Sequence, residues 1–323
     1  MEIPLDLVKL VATYLVKPRM KLLDWIDECQ LNCVHLLENP NAIYLIEENL
    51  CYIEWEYLSK NPNAIHLLEK YPMNINWDML SANPNAIHLL EKYPMKINWD
   101  KLSANPNALN LLKANPDMIN WKILSENPNT SVIIALLEAN PDKIDWKELS
   151  INPNAIHLLE ANSDKIYWAW LSENPNALHL LEANPDMINW PNLSRNPHAL
   201  NLLEANPDKI DWEMLSTNPS AIHLLEANPD KIDLWWLSYN PNGLHLLEQK
   251  IRDINLNQLY LNIDLEYIFS NPSTIRIVKT LLELYPDRIN WFLLSSNPSI
   301  FEVDMKQYKI DITAKANIID NIL

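Results

Sequence analysis

Asn152-Pro-Asn-Ala-Ile-His-Leu-Leu-Glu-Ala-Asn-Ser-Asp-Lys-Ile-Tyr-Trp-Ala-Trp-Leu-Ser-Glu173 is one unit of a repeat that fills most of the chain. Its opening Asn-Pro recurs at Asn39, Asn61, Asn83, Asn105, Asn127, Asn152, Asn174, Asn196, Asn218, Asn240, Asn271 and Asn297, at spacings of 22, 22, 22, 22, 25, 22, 22, 22, 22, 31 and 26. A fixed period of this length marks an array of small supersecondary units. The first half of the unit reads as a short helix, helix A. Asn152 is placed as its N-cap, Pro153 at its first position, and Ala155, Ile156, Leu158 and Leu159 form an apolar stripe. Asn-Pro or Tyr-Pro, as at Asn140-Pro141 or Tyr71-Pro72, stops it. The second half, such as Asp145-Trp146-Lys147-Glu148-Leu149-Ser150, reads as a shorter helix B with Asp145 as N-cap and Trp146 at the first position.

Neither helix reaches the dozen or so residues at which an isolated helix becomes stable, so each pair must bury its stripe against the next. The irregular spacings agree: Ser131-Val132-Ile133 and a four-residue extension within Ser273 to Leu284 each add about one helical turn to helix A. A leucine-rich repeat has a compatible period, but it needs a Leu-x-Leu-x-x-Asn strand, and Ile156-His157-Leu158 leaves Asn162 one residue too late. The expected fold is an all-α solenoid of about twelve two-helix repeats: an N-terminal cap at 1–26, the array at 27–300 with an irregular seam at 240–271, and a C-terminal cap at 301–323. Stacked at about 8–10 Å per unit, such an array is expected to be elongated, roughly 100 Å long.

Composition bounds the chemistry. The 323 residues hold one Gly and 23 Pro, and 20 of the prolines fall in two repeat slots. Phosphate-cradling loops, dinucleotide-binding turns and nucleophile elbows all need several glycines. With 25 Lys+Arg against 42 Asp+Glu, a net charge of -17 makes nucleic acid and anionic membrane poor partners. No apolar run of membrane-spanning length and no basic-then-apolar leader stands out, which predicts a cytoplasmic protein. Cys29, Cys33 and Cys51 are read as buried free thiols rather than a disulfide framework.

The Asn-Pro-Asn-Ala-Ile-His-Leu-Leu-Glu unit with its Ile-Asn/Asp-Trp-x-x-Leu-Ser half resembles tandem-repeat proteins of giant DNA viruses of amoebae, over roughly residues 30–300. The resemblance implies a viral protein in the cytoplasm of an infected cell, or in the virion, and supplies no activity. A shorter likeness lies at the start: Pro4, Leu7, Val11, Tyr14 and Leu15 match the opening helix of an F-box, although the match ends after Leu15. It implies docking on the cullin-linked adaptor of a ubiquitin ligase, so that host ubiquitin-ligase components become partners. The competing reading is a helix that caps the apolar edge of the first repeat.

Six histidines, His66, His88, His157, His179, His223 and His245, share one slot of helix A and are read as a solvated polar face, because neighbouring repeats stand too far apart to share an ion. Cys29, Cys33, His35 and Cys51 lack zinc-site spacing, and Cys33 occupies the slot that holds Trp in later repeats, which reads as packing. Nothing stands out from the repeat background as a catalytic set, a metal site or a cofactor site, so the expectation is a non-enzymatic protein-binding scaffold; a structural protein of a virus particle is a further alternative. The two residues after the Trp vary most between repeats. Large apolar side chains there, Tyr57, Met79, Ile123, Trp170, Met214 and Trp235, are the candidate partner-binding residues.

Overall fold

The computed structural model describes residues 5–48, 53–127, 131–253 and 263–320. The chain is an all-α solenoid of short helix pairs in a regular repeat. In a typical repeat Asp145 Oδ1 accepts the Lys147 and Glu148 N–H groups at 3.1 and 3.2 Å and opens helix B, Trp146–Ile151. The chain turns through Asn152-Pro153, forms helix A, Ile156–Ala161, and then a single 3-10 turn, Ser163–Lys165, before the next helix B, Trp168–Glu173. The insertions lengthen helix A as expected, to Ser131–Glu138 and Ile275–Leu284.

The expected start of helix A, with Asn152 as N-cap and Pro153 at the first position, is corrected. Helix A begins at Ile156 with no side-chain cap, and Asn152 does not cap it. Asn152 Oδ1 instead accepts the Asn154 N–H at 3.0 Å, while its Nδ2 donates to Ser125 O and Asn127 O of the preceding repeat at 3.0 and 3.1 Å. An amide carries both donors and an acceptor, so one side chain closes a turn and bolts two repeats together, which Ser or Asp cannot do. Helix A also ends differently from a glycine-capped helix. Asn162 has φ −135° and donates its Nδ2 to Leu158 O at 2.9 Å, so a side chain satisfies a carbonyl that a left-handed glycine cap leaves to the backbone. The scarcity of glycine follows from that substitution.

The expectation of an elongated array, roughly 100 Å long, is overturned. Asn39 in the first repeat donates to Ser295 O and Asn297 O in the last, at 3.0 and 2.9 Å. Asn61 makes the same pair of bonds to Leu37 O and Asn39 O, both at 2.9 Å. Two more rails also cross the closure: Ser295 Oγ accepts the Asn32 N–H at 2.7 Å, as Ser59 Oγ accepts that of Asn76 at 3.0 Å, and Asn41 Nδ2 donates to Pro298 O at 2.9 Å, as Asn63 donates to Pro40 O at 2.8 Å. First and last repeats therefore meet through the contacts that join any two neighbours, and the solenoid is a closed ring. Twelve repeats in one full turn rotate by about 30° each. The accessible surface of 17508 Å² exceeds the roughly 13,800 Å² of a compact monomer of this mass, as an open-centred ring requires.

The terminal segments meet at the same place. Met20–Leu22 pairs antiparallel with Phe301–Val303, Lys21 opposite Glu302, and Lys21 Nζ lies 2.9 Å from Glu302 Oε1. The N-terminal helix, Leu5–Leu15, packs on the C-terminal helix, Met305–Asp320, through Val8, Ala12 and Ala316. The edge of the first repeat packs on the last repeat.

Candidate partner-binding surface

Helices B of successive repeats approach one another more closely than helices A do. In a closed ring the layer with the shorter spacing lies nearer the axis, so helices B form the inner wall. At about 8–10 Å per helix, twelve of them enclose a ring about 30–40 Å across between opposite axes. Within helix B, Leu171 and Ser172 are fully buried. At 100° per residue, Trp170 and Glu173 lie on the opposite side of the helix and Ala169 beside them, and these three slots make the face turned away from the core.

That face carries the sequence candidates at two depths. Tyr57, Met79, Ile123, Trp170 and Met214, all two residues after the Trp, are half-buried. Four of them are held by a basic or aromatic neighbour. Tyr57 lies 5.6 Å from the His35 ring, with Lys60 Nζ 5.5 Å from its centroid. Lys101 Nζ is 3.5 Å from Met79 Sδ, Lys147 Nζ is 5.1 Å from the Trp170 ring, and Arg195 Nε is 2.9 Å from Met214 Sδ. Trp235 sits one residue earlier in the unit and is open, with 42% of its surface exposed. Phe292 shares that slot and is 51% exposed while resting on His35, ring centroids 3.7 Å apart. Sequence reasoning missed Phe292, and also Trp236 and Tyr239, which with Tyr267 form a ring cluster at 6.0 and 4.2 Å. Aligning the Leu234 repeat on its Ser shows that Trp236, not Trp235, shares the slot of Trp170.

Charge on this wall is organised locally. Hydrogen bonds from Lys101, at 2.5 Å, and from Asn98 hold the Asp78 carboxyl below the usual range. Tyr239 donates to Asp264, which pushes its hydroxyl up to about 12, with burial adding to the shift.

On helices A, each of the six histidines reaches back to the Glu of the preceding repeat, as His179 Nε2 does to Glu160 Oε1 at 2.7 Å. The range is 2.7 Å for His66 with Glu47 to 3.2 Å for His245 with Glu226. Both partners are about half exposed, so this is a solvated ladder. Among the described residues no cluster of three or more His, Cys, Asp or Glu is placed to hold a metal ion. Cys29 and Cys33 are free and exposed, against the expectation of burial; Cys33, in the Trp slot, carries a thiol too short to reach the core contacts an indole makes, and Cys51 lies outside the described residues.

On the N-terminal helix, Leu7, Val11, Tyr14 and Leu15 are exposed, Tyr14 by 83%, while Val8 and Ala12 face the C-terminal helix. Pro4 lies outside the described residues. Among the described residues no helix is long and apolar enough to cross a membrane. Fold and surface define the chain as a closed α-solenoid. No protein-family model, no curated protein and no solved structure matches it.

Proposed function

We propose that the protein is a non-enzymatic protein-protein interaction scaffold whose inner wall of helices B holds a partner protein. The observation that carries this reading is the contrast within helix B. Leu and Ser slots are constant and buried in nearly every repeat, whereas the free face varies and places Trp235, Phe292 and the Trp236-Tyr239-Tyr267 cluster on a surface that folding does not need to be aromatic. Aromatic side chains on such a face supply most of the energy of an interface. The acidic balance of the chain favours a partner of basic or mixed charge. The test is affinity capture with the full chain, repeated with Trp170→Ala plus Trp235→Ala. The partner should be lost from the variant while helical content and melting stay unchanged; capture that survives in a folded variant refutes the reading.

A second reading, substrate adaptor of a cullin ubiquitin ligase, is favoured by the exposed stripe Leu7, Leu10, Val11, Tyr14 and Leu15, which recurs at helical spacing on the side of its helix that faces away from the C-terminal helix. Under it, wild-type protein captures cullin components and Leu7→Asp with Tyr14→Asp does not. Failure of the wild type to capture them rejects the adaptor role.

A further inference from the structure

Neighbouring repeats leave a groove beside the start of helix B at two places, which can be compared residue by residue. The regular one, about 530 Å³, is bounded by Asp145, Trp146, Lys147, Asp164 and Lys165. Its own lysine fills the aromatic face: Lys165 Nζ stands 4.6 Å from the Trp146 ring centroid. The same stacking recurs for Lys209 on Trp190 at 4.5 Å and Lys231 on Trp212 at 4.3 Å. A cation on an indole is thus a standard inter-repeat contact of this fold.

At the seam the equivalent positions are Asp264, Leu265, Glu266, Asp287 and Arg288. Two substitutions change the groove. Leu265 stands where the indole would be, and the cavity grows to about 760 Å³. Glu266 stands where Lys147 would be, so two acids balanced by two lysines become three acids against one arginine. Trp235 of the preceding repeat forms part of the wall, and among the described residues no cation stacks on it. Asp264 is already committed to the Tyr239 hydroxyl and the Tyr267 N–H, which leaves Glu266 and Asp287, both exposed, to face an incoming charge.

We infer that the groove between Trp235, Glu266 and Asp287 binds a lysine or arginine side chain of the partner protein, so that a partner's cation makes there the kind of cation-on-indole contact that the fold makes internally in regular repeats. The cation lies on the indole of Trp235 and against the two carboxylates, and the side-chain stem fills the space left by Leu265. This rests on the scaffold reading and gives it a recognition chemistry.

The test uses the full chain labelled with ¹⁵N, with the Trp235 indole resonance assigned through Trp235→Phe. The probe is a tetra-arginine peptide blocked at both ends. The Trp235 resonance should move saturably while those of Trp55 and Trp121 stay in place. Glu266→Gln with Asp287→Asn should weaken binding about tenfold, and the control pair Glu56→Gln with Asp100→Asn, which removes as many exposed charges elsewhere on the wall, less than about twofold. An immobile Trp235, a movement shared by all the indoles, or equal effects of the two variant pairs overturns the inference. An immobile Trp235 with a partner still captured on the inner wall rejects the groove alone; a specific peptide site with no captured partner rejects the scaffold alone.

Discussion

Asn39→Ala distinguishes a closed ring from an open array in one substitution, with Asn174→Ala as its reference. Asn174 is fully buried and makes three hydrogen bonds, donating to Ser150 O and Asn152 O at 3.0 Å each and accepting the Asn176 N–H at 3.0 Å. Alanine removes all three and strands buried backbone groups, at about 1–2 kcal/mol apiece, so the expected cost is about 3–6 kcal/mol. Asn39 is equally buried and makes the same three bonds, to Ser295 O, Asn297 O and the Asn41 N–H, at 3.0, 2.9 and 3.0 Å. In a ring its replacement also costs about 3–6 kcal/mol. In an open array two of those bonds would not exist, and only the local turn would be lost, about 1 kcal/mol. Urea unfolding followed in parallel by tryptophan fluorescence and circular dichroism measures both variants, coincident transitions licensing the comparison. A large loss for Asn174→Ala beside a small one for Asn39→Ala would refute closure. Small losses for both would refute the assignment of the Asn slot as the bolt between repeats.

Two further outcomes follow from single sites. Tyr239 should ionise at about 12, above the ordinary tyrosine value near 10, in an ultraviolet titration, and Asp264→Asn should bring that step down. Because its folded pKa is raised, the stability it contributes is complete below the ordinary tyrosine value near 10 and disappears as pH rises through about 12, so Tyr239→Phe should flatten the alkaline end of the stability profile. Gly243 occupies a slot that holds a fully buried Ala in eight other repeats, Ala155 and Ala177 among them, and the closest atom to an added Cβ is Leu237 Cδ1 at 2.6 Å, the far end of a side chain. Gly243→Ala should therefore raise stability by about 0.5 kcal/mol through the unfolded chain, and a loss in the same urea assay would show that Leu237 cannot move.

Much of the repeat was legible because its letters have local causes. Asp145 and Trp146 announce helix B through an ordinary N-cap, and the insertions near Ser131 and Ser273 announce themselves as whole helical turns. Asn152 was misplaced because its preference for the start of a helix is shared with a second use, closing its own turn while reaching back to the preceding repeat, which one unit read alone cannot display. Closure left no mark in the period. It depends on the rotation from repeat to repeat, set by how much closer the inner helices pack than the outer ones, and the same spacing of 22 serves any rotation. The pairing of Leu5–Leu15 with Met305–Asp320 is equally nonlocal. On the binding surface, variability between repeats pointed to helix B but not to depth: Met214 is drawn in by Arg195 from the neighbouring repeat, whereas Trp235, one position earlier, stays open.

Small-angle X-ray scattering from the monomer tests the ring most directly. Twelve repeats closed on themselves give a radius of gyration of about 20–25 Å, near that of a compact chain of this length. The same repeats strung out over about 100–120 Å give about 30–35 Å. A value in the lower range, with a dip at the centre of the reconstructed density, is the result the structure predicts; a value near 30 Å or above from a monodisperse monomer would contradict it.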